Sequence, residues 1–366
     1  MIREGKFGPQ EAISLITITI VSRVFFTSPG ILVRYVGTAT WYMTLISAAV
    51  AAFGFTFVYL LLKRFPGKDI VEIFEITFGR VIGFVFSAIL MLFFIISPAT
   101  VLREFIEVIK VYVLPLSPPS YLIGIAVVGI VILGILGLET QVRLSRLLAP
   151  LLLVSFILVI VLSFQNFDFH RITPILGYGV PSTLYHGFSR SSVYGYVVIL
   201  AVIAGSLQGN KHIKRIGYTS IILSCVLISA ALLAFTLTFP YYTAQEITSP
   251  MYQMTALIDY GRFIQRIDPI FLFIWNISTL IALSIEVYAA SSIYCKMFRI
   301  QDIRPVIVPV AITAFTIAMI PRDFITVTSG YVHYTREYGW TVFFVPPLIA
   351  LITAIIRKKK GVEKSA

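Results

Sequence analysis

EAISLITITIVSRVFFTSPGILVRYVG, residues 11–37, is an apolar stretch that polar residues interrupt halfway. The interruption contains Ser22, Arg23, Thr27 and Ser28, and a Pro-Gly pair follows it. Each apolar half has only about a dozen residues, whereas a helix needs about 20 to cross the hydrocarbon core of a bilayer. Backbone can unwind at that depth only where protein or a water-filled cavity satisfies its hydrogen bonds. The stretch therefore predicts a transmembrane helix that is broken beside a polar site.

A second stretch, VPSTLYHGFSRSSVYGYVVILAVIAG at residues 180–205, has the same construction. The dipeptide Ser22-Arg23 of the first stretch recurs in it as Ser189-Arg190. Interrupted segments at corresponding positions in two halves of a chain indicate the central site of a transporter fold. We therefore predict one ligand site between the two breaks. Its candidate residues are Ser22, Arg23, Thr27, Ser28, Ser189, Arg190, Ser191 and Tyr194.

The composition of the 366-residue chain places it in a membrane. Hydrophobic residues make up 58% of the chain and charged residues 13%, whereas a soluble domain has roughly 25% charged residues. The apolar residues form blocks long enough for transmembrane helices, and they lack the alternation of a β-barrel. We predict about ten helical spans. They lie near residues 9–33, 40–62, 79–109, 120–137, 147–164, 182–207, 217–238, 267–295, 305–320 and 339–356.

The two interrupted stretches are the first and the sixth of these spans. Five spans that start on one side of the membrane, when repeated, have the opposite orientation in the second copy. We therefore predict an all-α integral membrane protein with a LeuT-like fold of two inverted five-span repeats and broken helices 1 and 6. The chain, residues 1–366, is predicted to be a single transmembrane domain. Repeat 1 covers about 9–164, repeat 2 covers about 182–356, and a basic tail at 357–366 follows.

The distribution of basic residues explains the net charge of +12 without a nucleic-acid partner. If the N-terminus is cytoplasmic, most of the 29 lysines and arginines fall in predicted cytoplasmic segments, as the positive-inside rule requires. The sequence RKKKG at 357–361, directly after the last span, predicts that the C-terminus is cytoplasmic too. This arrangement places Arg336 in an outer segment. The lipid bilayer is thus the first predicted partner.

Three ionisable residues lie deep inside predicted spans: Arg23, Arg190 and Glu286. An arginine at the membrane centre costs about 2.5–3.5 kcal/mol on insertion scales, so something has to compensate for it. One interpretation is that the arginines face a polar cavity and bind a ligand carboxylate or an internal glutamate. The other is that they form structural ion pairs or extend to the interface. Glu286 is either a coupling or gating residue that exchanges a proton, or the carboxylate that neutralises Arg23.

The third span ends in REFIEVIK, residues 103–110, which contains another charged pair. Arg103 and Glu107 are four residues apart, the spacing of an ordinary ion pair on a helix surface. We interpret the pair as a salt bridge at the outer end of this helix. The alternative is an extracellular gate.

The sequence indicates neither an enzyme nor a metal protein. Its four histidines are scattered, without a pair four residues apart and without a neighbouring cysteine, so they lack the ligand spacing of a zinc site. The phosphate-binding loop, the dinucleotide-binding glycine motif and the nucleophile elbow are all missing. We expect no catalytic residues, no metal and no cofactor.

Five short motifs, spread over nearly the whole chain, carry a family resemblance. They are GKFGPQEAISLI at 5–16, KRFPG at 63–67, VLREF at 101–105, LPLSP at 114–118 and YGRFIQRIDPIFLFIW at 260–275. With these motifs the chain resembles the spore-germination permeases, the B subunits of the germinant receptors of spore-forming Bacillota. That family belongs to the amino acid–polyamine–organocation superfamily, whose fold is LeuT-like. The resemblance implies a nutrient sensor in the spore inner membrane, working with an A subunit (a membrane protein) and a C subunit (a lipoprotein).

We therefore expect a germinant-receptor subunit that binds a small polar nutrient, often an amino acid in this family, between helices 1 and 6 and triggers germination. The alternative is a proton-coupled amino-acid transporter in the cell membrane, which would share the fold and the site. Arg23 would repel a cation about 4 Å away by on the order of 1–4 kcal/mol, depending on the local dielectric. We accordingly expect no sodium site beside it.

Overall fold

A computed structural model describes residues 7–24, 28–206, 212–261, 267–323 and 325–361, and most of these residues are helical. The α-helices are α1 (Pro9–Val21), α2 (Ser28–Val36), α3 (Thr40–Arg64), α4 (Ile70–Phe78), α5 (Arg80–Tyr112), α6 (Pro119–Leu136), α7 (Leu138–Ser163), α8 (Val180–Ser189), α9 (Ile199–Val202), α10 (Ile213–Thr238), α11 (Tyr241–Ala244), α12 (Pro250–Ala256), α13 (Asp268–Phe298), α14 (Arg304–Met319) and α15 (His333–Ile356). There are also 3₁₀-helices at Gly37–Ala39, Phe164–Asn166, Phe169–Ile172, Arg190–Val198 and Ala204–Ser206, and a π-helix at Thr326–Val332.

The described helices can be grouped into ten apolar segments that correspond to the predicted spans. In the part of the chain that the structure describes, seven helices are long and apolar enough to cross a bilayer, namely α3, α5, α6, α7, α10, α13 and α15. The shorter apolar helix α14 is the ninth span. The first span consists of α1 and α2, and the sixth consists of α8, the following 3₁₀-helix and α9. The predicted all-α membrane fold with broken helices 1 and 6 is thus confirmed.

The first span is broken where its polar residues predicted. Helix α1 starts at Pro9, whose missing N–H is tolerated in a first helical turn, and it ends at Val21. Residues 22–24 form a turn, and α2 starts at Ser28. The backbone carbonyl of Arg23 accepts a hydrogen bond from Nη2 of Arg336 at 3.0 Å. A side chain of the last span therefore satisfies backbone that the break leaves without a helical partner.

The sixth span changes its winding at the second break. Helix α8 ends at Ser189, and Arg190–Val198 form a 3₁₀-helix before α9. Serine competes for backbone hydrogen bonds and so weakens an α-helix here. Gly195 lies so close to the ring of Phe343 that an added Cβ would overlap the ring. The absence of a side chain at Gly195 lets the 3₁₀-helix pack directly on α15.

The two parts of the first span have different neighbours. Helix α1 lies against α7, α10 and α13, whereas α2 contacts α3 and α8. The 3₁₀-helix of the sixth span packs between α3 and α15. Both breaks are consequently enclosed by other spans, which supply their polar partners.

Two spans begin earlier than predicted, because hydropathy locates only the apolar part of a helix. Helix α7 begins at Leu138, and its first turns carry an exposed ion pair between Glu139 and Arg143. The last span begins at Thr326 with the π-helix, which runs into α15. The prediction that Arg336 belongs to an outer segment is therefore wrong. Arg336 is buried inside the last span.

Candidate functional site

Arg23, at the break in the first span, is bound by three other spans. Its guanidinium forms an ion pair with the carboxylate of Glu286 on α13. Its Nη1 donates to the hydroxyl oxygens of Tyr196, at 2.8 Å, and Ser97, at 3.0 Å. The guanidinium also lies over the Tyr196 ring, 3.7 Å from the ring centroid, within the range of a cation–π interaction. The charge of Arg23 is thus compensated by an internal glutamate. This pair agrees with both a polar site and a structural ion pair, and it excludes only an extension of Arg23 to the interface.

The acceptors around Arg23 are themselves joined. The Ser97 hydroxyl donates to Oε2 of Glu286 at 2.9 Å, and its oxygen lies 2.6 Å from the hydroxyl oxygen of Tyr196. Arg23 is 4% exposed and Glu286 is 0% exposed, so this cluster is shielded from bulk water. Hydrogen bonds in such a low-dielectric setting are strong, and an unpaired member is correspondingly costly.

Arg190, at the second break, has a looser environment than Arg23. Its Nε lies 3.7 Å from Oε2 of Glu337 on α15, and its guanidinium lies 5.5 Å from the centroid of the Tyr35 ring. Nε and Nη2 of Arg190 make no hydrogen bond with the residues that the structure describes. Arg190 is therefore neutralised by charge proximity rather than by close hydrogen bonding.

Arg336 connects the two breaks. Besides the Arg23 carbonyl, its Nη2 contacts Oε2 of Glu104 on α5 at 2.7 Å. Its own backbone carbonyl accepts a hydrogen bond from the hydroxyl of Ser192 in the 3₁₀-helix. One residue of the last span thus bonds to backbone of the first span and to a side chain of the sixth.

Arg103 and Glu107 form the predicted pair, with 2.8 Å between Nη2 and Oε1. The pair does not lie on the helix surface, however, because the two side chains are only 5% and 11% exposed. The interpretation as an ordinary surface pairing is therefore wrong. Neighbouring spans cover the end of α5, which hydropathy of α5 alone cannot show.

Among the described residues every buried arginine is paired with a buried glutamate, whereas Asp268, a fifth buried acid, instead accepts a hydrogen bond from the Tyr252 hydroxyl at 3.0 Å. A buried charge without a partner would cost several kcal/mol, whereas a paired one is tolerated. The four pairs are Arg23–Glu286, Arg103–Glu107, Arg190–Glu337 and Arg336–Glu104.

The other predicted residues of the second break lie near Arg190. The hydroxyl oxygens of Tyr194 and Thr44 are 2.6 Å apart, and the Ser189 hydroxyl donates to the His186 carbonyl at 3.4 Å. Ser191 is fully buried, and its hydroxyl has no hydrogen-bond partner in the described ranges.

The predicted residues of the first break are divided between two environments. Ser28 lines a cavity together with Arg190 and Tyr194. Ser22 donates to the Thr19 carbonyl at 3.4 Å and lines a separate groove along α1. Thr27 lies outside the described residues.

Little open space remains at the breaks. The cavity beside Arg190 and Tyr194 measures about 20 Å³, and one lined by Arg23, Tyr196 and Arg336 measures about 10 Å³. Space of this size holds about one water molecule. Among the described residues, the predicted single cavity between the breaks is thus replaced by two small ones. We call this arrangement, in which neither cavity has room for an amino acid, the closed conformation.

The residues around the buried ion pairs of Arg23, Arg190 and Arg336 are called the charge cluster. Sequence reasoning missed five of its members: Ser97, Glu104, Tyr196, Arg336 and Glu337. The pair Ser97-Pro98 inside the third span was the available signal for Ser97, because a proline leaves a helical carbonyl without its donor. No comparable signal pointed to Arg336 and Glu337, which precede the apolar part of the last span. Within the described part of the chain, no group of three or more His, Cys, Asp or Glu residues is arranged to hold a metal ion.

The chain is similar in fold to solved transporters. One is a Na⁺-coupled sialic acid symporter in a substrate-bound outward-open state, with a TM-score of 0.67 and 14% identity over 93% of this chain and 78% of the other. Another is Mhp1, a nucleobase-cation-symport-1 family transporter in a closed conformation, with a TM-score of 0.67 and 10% identity over 96% and 90% of the two chains. These similarities confirm the predicted LeuT-like fold.

Curated relatives are germination proteins of Bacillus subtilis (strain 168). Spore germination protein KB is 22% identical over 337 residues, which is 90% of each chain. Spore germination protein A2 is 21% identical over 366 residues, covering 96% of this chain and 97% of the relative. The model of the spore germination protein family, the spore permeases, matches residues 6–325. The chain is therefore a multi-pass membrane protein that belongs to the spore germination protein family.

Proposed function

We propose that this protein is the nutrient-binding B subunit of a germinant receptor and that it binds an amino acid where helices 1 and 6 are broken. The buried pair of Arg23 and Glu286 is the observation that carries this proposal. Arg23 from the first break, Tyr196 from the second break and Glu286 from α13 meet at one point. Family membership and the transporter fold support a ligand site at the same place.

The chemistry of an α-amino acid matches both halves of the ion pair. Its carboxylate would replace Glu286 on the Arg23 guanidinium, and its ammonium group would bind the carboxylate of Glu286. Such a zwitterion adds no net charge to a dry interior, where an unpaired charge is costly. The space beside Arg23 is only about 10 Å³, so the ligand has to separate the pair. It thereby favours an opened conformation over the closed one, and that difference in affinity shifts the population.

The remaining predicted residues receive roles in the same proposal. Ser22, Thr27, Ser28, Ser189, Arg190, Ser191 and Tyr194 would contact the ligand in the opened conformation. Arg103 and Glu107 would act as a gate, because their separation would uncover a charged pair that neighbouring spans now bury.

Binding to the purified protein tests this function. Each proteinogenic amino acid is added to the protein in detergent, and the melting temperature is measured. We expect one or a few amino acids to stabilise the wild type. Arg23→Ala should remove the stabilisation, and in spores it should abolish the germination response while the protein still accumulates. Arg143→Ala is the matched control, because Arg143 is 69% exposed in its ion pair. Full stabilisation of Arg23→Ala by the same amino acid would contradict the proposed site.

A proton-coupled amino-acid transporter is the second candidate, and the environment of Glu286 favours it. This carboxylate is fully buried and hydrogen-bonded to Ser97, so protonation would release Arg23 for a ligand carboxylate. Proteoliposomes with a proton gradient separate the two candidates. Amino-acid uptake that Glu286→Gln abolishes would establish the transporter, whereas binding without uptake supports the receptor.

The partners and the location belong to the same proposal. An A subunit and a C subunit would form a complex with this chain in the spore inner membrane, and co-purification from spores tests for them. Both termini would be cytoplasmic. One contact supports the proposal that both termini lie on the same side of the membrane. Arg64, at the end of the second span, donates from Nε to the carbonyl of Lys359, which follows the last span, at 2.7 Å. The repeat limits 9–164 and 182–356 remain predictions.

A further inference from the structure

A groove of about 410 Å³ lies along α1 and shares no lining residue with the two small cavities at the breaks. It is formed by α1, α7, α10 and α13, and it is far larger than either cavity at the breaks. Its volume falls in the usual range for the binding site of a small molecule. Most of its wall is apolar, for example Ile13, Ile18, Leu153, Phe156 and Leu227.

The mouth of the groove carries a positive charge. Arg146 lines it, is exposed, and donates from Nη2 to the side-chain oxygen of Gln10 at 2.9 Å. In the described part of the chain Arg146 forms no ion pair, although Arg143 on the same helix is paired with Glu139. An anionic group is therefore the complementary occupant of this end of the groove.

A buried hydroxyl without a partner lies deeper in the groove. Ser14 and Thr19 on α1 donate to the carbonyls four residues before them, at 3.1 and 2.8 Å. Thr17 makes no such bond. It is 7% exposed, lines the groove, and its hydroxyl has no partner among the described residues. A buried donor without an acceptor costs about 1–3 kcal/mol, and an acceptor in the groove would remove that cost.

The order of these groups along α1 is the order of groups in a phospholipid. Gln10, which holds Arg146, is seven residues before Thr17, and a helix rises 1.5 Å per residue. The positive charge and the free hydroxyl are thus separated by about 10 Å. A phospholipid has its phosphate at the membrane surface, its ester carbonyls below, and hydrocarbon beyond. Ester carbonyls accept hydrogen bonds but donate none. An acceptor is the partner that the Thr17 hydroxyl lacks.

We propose that this groove binds one anionic phospholipid. Its phosphate contacts Arg146, an ester carbonyl accepts from Thr17, and an acyl chain lies along Leu153, Phe156 and Leu227. The lipid then lies between α1 and α7, on the helix that leads directly into the break at Arg23. A bound lipid holds α1 against its neighbours and so supports the closed conformation of the breaks.

Native mass spectrometry of the full-length purified protein tests the site. The protein is titrated with phosphatidylglycerol and with phosphatidylcholine of identical acyl chains, and bound lipid is counted. We expect one tight lipid, with phosphatidylglycerol favoured about fivefold, the effect of one basic residue near an anionic surface. Arg146→Gln should remove this preference. Thr17→Val should weaken both lipids about two- to tenfold, the effect of one hydrogen bond. Ala149→Trp should remove the tight site.

Matched controls lie on the same helix. Leu151→Trp adds a tryptophan at a residue that is 48% exposed and does not line the groove, and Arg143→Gln removes a nearby positive charge. Both should retain wild-type binding. If Ala149→Trp does not fold, Leu153→Phe narrows the groove with a smaller change and serves the same comparison. Equal retention of phosphatidylglycerol by the wild type and the narrowed variant would overturn the proposal. A lipid-free dimer in the same spectra, indicating a second copy in the groove, would also overturn it.

Discussion

Removing one charge of the Arg23–Glu286 pair should cost more stability than removing both. Glu286→Gln leaves a guanidinium, and Arg23→Met leaves a carboxylate, in an interior where these residues are 0–4% exposed. Loss of one partner from a buried ion pair costs about 3–5 kcal/mol. The double variant contains neither charge and loses mainly the hydrogen bonds to Ser97 and Tyr196, worth about 0.5–1.5 kcal/mol each. The sum of the unfolding free energies lost in the two single variants should therefore exceed the loss in the double variant by at least about 3 kcal/mol.

Reversible unfolding in mixed micelles of dodecylmaltoside and SDS, followed by circular dichroism, measures these free energies. The control cycle uses Arg143→Gln and Glu139→Gln, an ion pair at 2.5 Å whose side chains are 69% and 40% exposed. Its coupling energy should stay below about 1 kcal/mol, as for other exposed pairs. Additivity of the Arg23 and Glu286 changes to within about 0.5 kcal/mol, the range for independent sites, would refute the view that they form one buried unit.

Three further predictions concern packing, hydrogen bonding and ions. Gly195→Ala should destabilise the protein by about 1–3 kcal/mol in the same unfolding assay, because the methyl group overlaps Phe343, whereas Gly124→Ala, with nothing within 4 Å of the added carbon, should not destabilise it. Tyr196→Phe keeps the ring over Arg23 but removes a hydroxyl that accepts at 2.8 Å. The variant should fold with a lower melting temperature and show weaker amino-acid stabilisation, and an unchanged response to the amino acid would contradict a role for that hydroxyl. Replacing sodium by choline should leave amino-acid binding unchanged, and binding that requires sodium would contradict the expectation that no sodium site lies beside Arg23.

The fold was predictable because its decisive signals are local. An arginine and several serines in the middle of an apolar stretch cannot form an ordinary span, and the breaks at Arg23 and Arg190 occur at these residues. The starts of α7 and of the last span were less predictable. Their first turns carry charges such as Arg143 and Arg336, and only the positions of neighbouring helices decide whether such a charge faces water or protein.

The partners within the site were predictable only in part. Glu286 was recognisable as the partner of Arg23 because few other charges lie at that depth. Glu104 and Glu337 were not recognisable as partners of Arg336 and Arg190, since pairing across spans depends on how helices are rotated about their axes. In a helix with one solvent-exposed face, the periodic apolar pattern shows how the helix is rotated about its axis. A span surrounded by lipid and protein has no such pattern.

The hydrogen bond from Arg336 to the Arg23 carbonyl has a mechanical consequence. Helix α15 is 24 residues long, or about 36 Å, and its far end is anchored where Arg64 donates to the Ala354 carbonyl at 3.0 Å. Between the two attachment points lie Pro346 and Pro347, which remove helical hydrogen bonds and make bending cheaper there than elsewhere. A displacement of the Arg23 carbonyl must therefore break its hydrogen bond to Arg336 or move the part of α15 that precedes Pro346. The last span is thus attached to the first break at Arg336 and to Arg64 at Ala354, and it can bend at the two prolines between these attachments.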